Sequence, residues 1–139
     1  MKHRINLDSG APWEAVVGYS RAVRVGDTIH VTGTTATLPG GGRADGEAEA
    51  QARQALLNIE RALQALDAEL SDVVRTRIYV TQIERDWEAV GRAHAACFST
   101  VRPATSMVEV SRLIEDWMLV EIEADAIVGA DEISQRSIG

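Results

Sequence analysis

The sequence predicts a single α+β domain, on three observations: two amphipathic helical stretches, β-rich runs around and between them, and a last strand with two unlike faces. At 139 residues the chain is the size of one domain and long enough to bury a core. Hydrophobic residues make up 45% and charged residues 25%, an ordinary globular balance.

The first clear element is a hairpin over Arg21–Thr32, where two β-rich runs flank Gly26-Asp27 and glycine supplies a turn position with positive φ. Leu38-Pro39-Gly40-Gly41-Gly42 then breaks the chain into a loop. No G-x-x-x-x-G-K pattern accompanies it, so it does not read as a phosphate cradle. From about Glu47 to Glu69 the pattern is helical. Ala52, Leu56, Ile59, Leu63 and Leu66 form one apolar stripe, with Glu49, Arg53, Glu60 and Arg61 on the wet side. A strand follows in which Val74, Thr76, Ile78 and Val80 alternate with Arg75, Arg77 and Tyr79.

Thr81-Gln82-Ile83-Glu84 has the spacing of a capping box and opens a second helix, with Trp87, Val90, His94 and Cys97 along its inward stripe. Arg102-Pro103 ends that region. Two strands follow, Thr105–Val110 and Met118–Val128, joined through Leu113–Trp117, and a polar tail runs from Gly129 to Gly139. Both helices are expected on one face of a single sheet. On the last strand Val120, Ile122, Ala124 and Ala126 share one side, while Glu121, Glu123 and Asp125 share the other. That second face is expected to be polar and to include Met107. It is either solvated or an interface that builds a cleft, and periodicity leaves both open.

Several function classes are disfavoured. With 21 acidic against 14 basic residues the net charge is −7, which opposes binding to a phosphate backbone, so no nucleic-acid partner is expected. Lys2 is the sole lysine, which excludes a buried Schiff-base lysine outside the N-terminal segment. Cys97 is the sole cysteine, and His3, His30 and His94 have no metal-ligand spacing, so neither a disulfide framework nor a metal site is expected. No apolar run approaches a membrane span, and the first thirty residues do not read as a signal peptide. A cytoplasmic location with no membrane partner is the expectation.

Certain segments resemble the Rid (YjgF, reactive intermediate deaminase) family. They are Gly18–Val23 and Val25–Gly33, Gln51–Ile59 in the first long helix, Arg102–Leu113, and Leu119–Ala124. The resemblance covers most of residues 15–128 in order and spacing. It implies a chorismate-mutase-like (YjgF-like) fold, one mixed β-sheet with two helices on one face, and a homotrimer with small-molecule clefts between subunits. It also implies hydrolysis of 2-imino or enamine acids to 2-oxo acids and ammonia, with no cofactor. In that scheme an arginine clamps the substrate carboxylate and a glutamate on the last strand positions water.

Carried over by position, Glu121 matches the water-positioning carboxylate, Tyr19 the pocket tyrosine, and Thr32-Gly33 the Ser/Thr-Gly pair lining the pocket. The clamp arginine is replaced by Thr105, and a cysteine two positions on by Met107. Gly18, Gly91 and Ile114 stand where the family often has proline, asparagine and proline, and the turn holding Trp117 is one residue longer. A threonine hydroxyl is one neutral group where the family has a cationic fork, so altered specificity is expected. Arg21 and Arg92 are the candidates to replace that fork, ahead of Arg102, and His94 is a core or interface histidine unless it faces the cleft. The alternative function is a trimer that binds a metabolite or protein partner without catalysis, and a ribonuclease reading ranks below both. Taken without the resemblance, Glu121, Tyr19 and Thr105 also read as a surface carboxylate, a packed aromatic and a strand residue.

Overall fold

A computed structural model of the chain describes residues 2–44 and 46–139. Ten elements follow one another. Strand β1 spans Arg4–Leu7, helix α1 Pro12–Val17, β2 Ala22–Val25 and β3 Thr28–Thr34. Helix α2 spans Ala48–Ala65, followed by a 3₁₀ turn at Leu70–Asp72 and β4 at Val73–Val80. Helix α3 spans Ile83–Phe98, β5 Ala104–Glu109 and β6 Val120–Ile127. The six strands form one sheet in the order β1-β2-β3-β6-β4-β5. β4 and β5 pair in parallel across the α3 crossover, and every other pair is antiparallel. The sheet is therefore mixed, as the family resemblance implies.

The two long helices cover one face. From β6, Val120, Ile122, Ala124 and Ala126 are fully buried, and from α2 so are Ala52, Ala55, Leu56, Ile59 and Leu63. The alanines leave little side-chain bulk between α2 and its neighbours, while Leu56, Ile59 and Leu63 fill the space toward the sheet. The β6 partition read from the sequence holds: Glu121, Glu123 and Asp125 face the side the long helices leave open.

Four details depart from expectation. Residues 4–7 and 12–17 form a strand and a short helix that lie before the first expected element. The β4 alternation is shifted at its start, because a bulge between Val73 and Arg75 buries Val73 and leaves Val74 exposed. Helix α3 has Gln82 as its N-cap with no side-chain cap bond; instead Glu109 Oε1 accepts from the Ile83 amide at 3.1 Å. Trp87 is 54% exposed, so the inward stripe of α3 runs through Val90, Ala93 and Phe98, with His94 and Cys97 only half-buried. The glycine-rich loop is closed by an antiparallel bridge between Thr37 and Arg43.

Two amides on α2 fix the chain on either side of the sheet end. Asn58 Nδ2 donates to the carbonyls of Thr35 and Thr37, at 3.0 and 2.7 Å. Gln51, 4% exposed, donates to the Trp117 carbonyl at 3.0 Å and accepts from the Leu119 amide at 2.9 Å. Replacing Gln51 by Leu leaves both backbone groups without their partner. The expected loss is about 2–4 kcal/mol in denaturant unfolding, and a loss within experimental error would show that the amide does not anchor this segment.

Candidate functional site

Where β3 runs beside β6 the ladder is interrupted. Val31 pairs with Ala124 but Thr34 pairs with Ile122, so one extra residue of β3 is accommodated around Thr32-Gly33. A bulge of this kind re-aims the backbone. It also explains why residue 33 is a glycine. A Cβ built there would lie 2.8 Å from both Cδ and Oε2 of Glu121. The Glu121 carboxylate is therefore seated against bare backbone.

The surroundings of this carboxylate come from the N-terminal elements. Glu14 on α1 is 5% exposed and accepts from the Ser9 amide at 3.1 Å and from the Ser9 hydroxyl. It also forms an ion pair with Arg21 at 3.3 Å. Arg21 then donates through Nη1 to the Gly33 carbonyl at 3.0 Å, and its guanidinium lies 6.0 Å from the Tyr19 ring centre. The sequence singled out Arg21 as one possible cation, but not its buried partner Glu14, because nothing in a six-residue helix marks a carboxylate as inward-facing. Arg92, the other candidate, pairs with Glu49 at 2.8 Å on the outside of the helices and lines neither cleft.

A cleft of about 990 Å³ opens here, with Tyr19, Arg21, Gly33 and Glu121 on its inner wall. Its outer wall includes Trp13, the glycine-rich loop and the connection carrying Ile114 and Trp117, across which Arg43 lies 5.6 Å from the Trp117 ring. An adjoining hollow of about 660 Å³ shares Tyr19 and contains Thr32, His30 and Arg77. Along the open sheet face Arg77 reaches Asp125 at 3.1 Å, His30 meets Asp125 at 2.8 Å, and Tyr79 donates to Glu123 at 3.1 Å.

Burial raises the pKa of Glu121 above the ordinary glutamate value. Glu123, two residues along on the same face, pushes it further, and Arg21 opposes both. Glu121 thus keeps its proton to higher pH than an exposed glutamate does. A partly desolvated carboxylate in a cleft is suited to accept and return a proton. Among the described residues no three His, Cys, Asp or Glu side chains come together as a metal site, and no helix is long and apolar enough to cross a membrane.

The structure brings together Tyr19, Thr32, Gly33 and Glu121, but within one chain it separates Thr105 and Met107 from them. β5 pairs with β4 so that Thr105 is level with Thr76 and Met107 with Ile78, both on the helix-covered face. Met107 packs against the core, which corrects the expectation that it lies on the open polar face. The cause is the parallel register, which the alternation of β5 alone does not fix. Thr105 is exposed on the edge strand, and His94 turns toward it rather than toward Glu121.

One mixed six-stranded sheet with two long helices on one face defines the class, a YjgF-like α+β protein. A family model described as Endoribonuclease L-PSP matches residues 10–128. The chain belongs to this family, known also as YjgF or Rid. It is similar to the crystal structure of Rv2704 from Mycobacterium tuberculosis, a member of the YjgF/YER057c/UK114 family. That similarity has 52% identity and a TM-score of 0.83, and covers 91% of this chain and 100% of that one. It is 36% identical to protein SCO2049 of Streptomyces coelicolor, over 89% of this chain and 92% of the relative. It is 33% identical to the 2-iminobutanoate/2-iminopropanoate deaminase of Escherichia coli K12, over 81% and 89% of the two chains.

Two outcomes test this geometry. Glu123→Gln keeps an acceptor for Tyr79 but removes a negative charge, so the Glu121 pKa should fall when followed by ¹³C side-chain NMR. An unmoved midpoint would show that Glu123 does not act on it. Gly33→Ala should displace the Glu121 carboxylate, a flexible end that can yield, while costing no more than about 1–2 kcal/mol of stability. A crystal structure of the variant with Glu121 unmoved would contradict the close approach.

Proposed function

We propose that the chain is a cofactor-independent hydrolase of an imine, enamine or related carbonyl metabolite, working as a homotrimer with clefts between subunits. The observation that carries this reading is the Glu121 carboxylate, desolvated and seated against Gly33 inside a cleft that also holds Tyr19. Deaminase relatives at about one-third identity support it.

In this reading ionised Glu121 takes a proton from water as its oxygen bonds to the imine carbon. Glu121 returns that proton to the nitrogen of the tetrahedral adduct. It then takes the adduct's hydroxyl proton and passes it to the same nitrogen as the C–N bond breaks, leaving a carbonyl and ammonia. Tyr19 and the backbone at Thr32-Gly33 hold the substrate. Because the Glu121 pKa is raised, activity requiring the carboxylate form falls away on the acid side at higher pH than for an exposed glutamate.

The separation of Thr105 and Met107 from Glu121 within one chain supports the assembly. The free edge of β5 in one copy would close the cleft of the next, in the homotrimer that the family resemblance implies. Thr105 then stands where the family clamps a carboxylate with arginine, so the pocket favours a substrate held by another group. That same neutral residue favours the second reading, a trimer that binds a metabolite and releases it unchanged. An RNA substrate is set aside despite the family model's name, because a net charge of −7 opposes a phosphate backbone.

The test is clearance of imines generated in place by an amino-acid oxidase, with semicarbazide trapping the remainder. Glu121→Gln should lower turnover by roughly 100-fold or more with the assembly mass unchanged, and Thr105→Arg should raise turnover of 2-imino acids. Wild-type rates in Glu121→Gln would remove the role given to this residue. Ligand recovered unchanged by a trimer inert toward every imine would establish the second reading.

A further inference from the structure

Thr105 is the outer end of a hydrogen-bonded chain that begins at His94. The His94 Nε2 lies 2.8 Å from the Thr76 hydroxyl, and the Thr76 hydroxyl lies 2.8 Å from that of Thr105. The Thr105 hydroxyl is in turn 3.1 Å from the Pro103 carbonyl, a second acceptor within its reach. Thr76 is fully buried, so no water serves its hydroxyl. His94 is half-buried with its ring 4.7 Å from that of Phe98, and burial lowers its pKa. At neutral pH the imidazole is uncharged and Nε2 either carries its one proton or accepts one.

Each hydroxyl has a single proton. With Nε2 and Thr105 both donating to Thr76, the buried Thr76 proton has no acceptor among the described residues. Two orderings therefore remain that keep a proton in both 2.8 Å contacts. If Nε2 carries hydrogen, it donates to Thr76, Thr76 donates to Thr105, and the Thr105 proton goes to the Pro103 carbonyl. If Nε2 is bare, Thr76 donates to it, and Thr105 must donate inward to Thr76. In both orderings the Thr105 proton is already committed to the protein and at least one lone pair of its oxygen remains free. A ligand acceptor has to displace one of those partners, whereas a ligand donor does not.

We infer that Thr105 is a specificity residue that accepts a hydrogen bond from the ligand, so the site selects a neutral group bearing N–H or O–H, such as a carboxamide, over a carboxylate. The inference rests on the proposed cleft, with Thr105 facing the bound molecule, and it names the group that replaces the carboxylate there. His94 and Thr76 act through Thr105 as positioning residues.

The test uses the full chain and two stable probes, 2-oxobutanamide and 2-oxobutanoate, titrated by calorimetry against wild type, Thr105→Val and Thr105→Ser. The amide should bind about tenfold more tightly than the acid to wild type, the worth of one neutral hydrogen bond. Thr105→Val, similar in shape but without the acceptor, should abolish the difference, and Thr105→Ser should keep it. Tighter or equal binding of the acid, a preference that survives in Thr105→Val, or no binding of either probe would each overturn the inference. Failure of the hydrolase reading is separate: it is read from imine turnover, and a Thr105-dependent amide preference in a protein inert toward imines would leave this inference standing. Efficient Glu121-dependent turnover with the acid bound more tightly would do the reverse.

Discussion

The rest of the structure depends on the two-sidedness of β6, which lies between β3 and β4 inside the sheet. Its four apolar residues are sealed beneath α2, and its three carboxylates are thereby forced onto the opposite face. Like charges two residues apart repel unless cations or hydrogen-bond donors sit among them. Arg77, His30 and Tyr79 satisfy Glu123 and Asp125 in this way. Glu121 has no such direct partner among the described residues. It sits instead at the bulge, against Gly33, with Arg21 turned to the Gly33 carbonyl.

This inequality singles out one carboxylate of the row as the candidate site. Glu123 and Asp125 are held in networks across the sheet, and Glu121 is left desolvated with a raised pKa beside a cleft. The features around it cooperate. Gly33 admits the carboxylate, Glu14 holds Arg21 in place, and Gln51 and Asn58 pin the two loop segments that form the outer wall. Loops supply most of the cleft lining, but Glu121 itself stands on β6 against β3, which limits how far its carboxylate can wander.

Much of the fold was legible because its periodicities are strong. The stripe Leu56, Ile59 and Leu63 and the alternation of β6 each admit one burial pattern, and both are found. The failures have physical causes. The bulge in β4 changes which valine is buried, and a bulge leaves no compositional trace. Trp87 looks like a core residue by type, yet its position on α3 faces solvent. The face on which Met107 lies follows from a parallel register, which is a tertiary property. The site was partly legible: Tyr19, Gly33 and Glu121 were named through resemblance and do converge. Glu14, Gln51 and Asn58 were not, since their roles consist of contacts to chain segments 5 to 68 residues away.

The central claim is that a working cleft takes Glu121 and Tyr19 from one copy and the β5 edge from another. Isotope-filtered NOE spectroscopy on an assembly mixed from differently labelled copies addresses this without reference to any activity. The account predicts cross-peaks between the Thr105 methyl of one copy and Tyr19 or Glu121 of another. A monomer, or an assembly in which β5 of one copy stays remote from Tyr19 and Glu121 of every other, would contradict it.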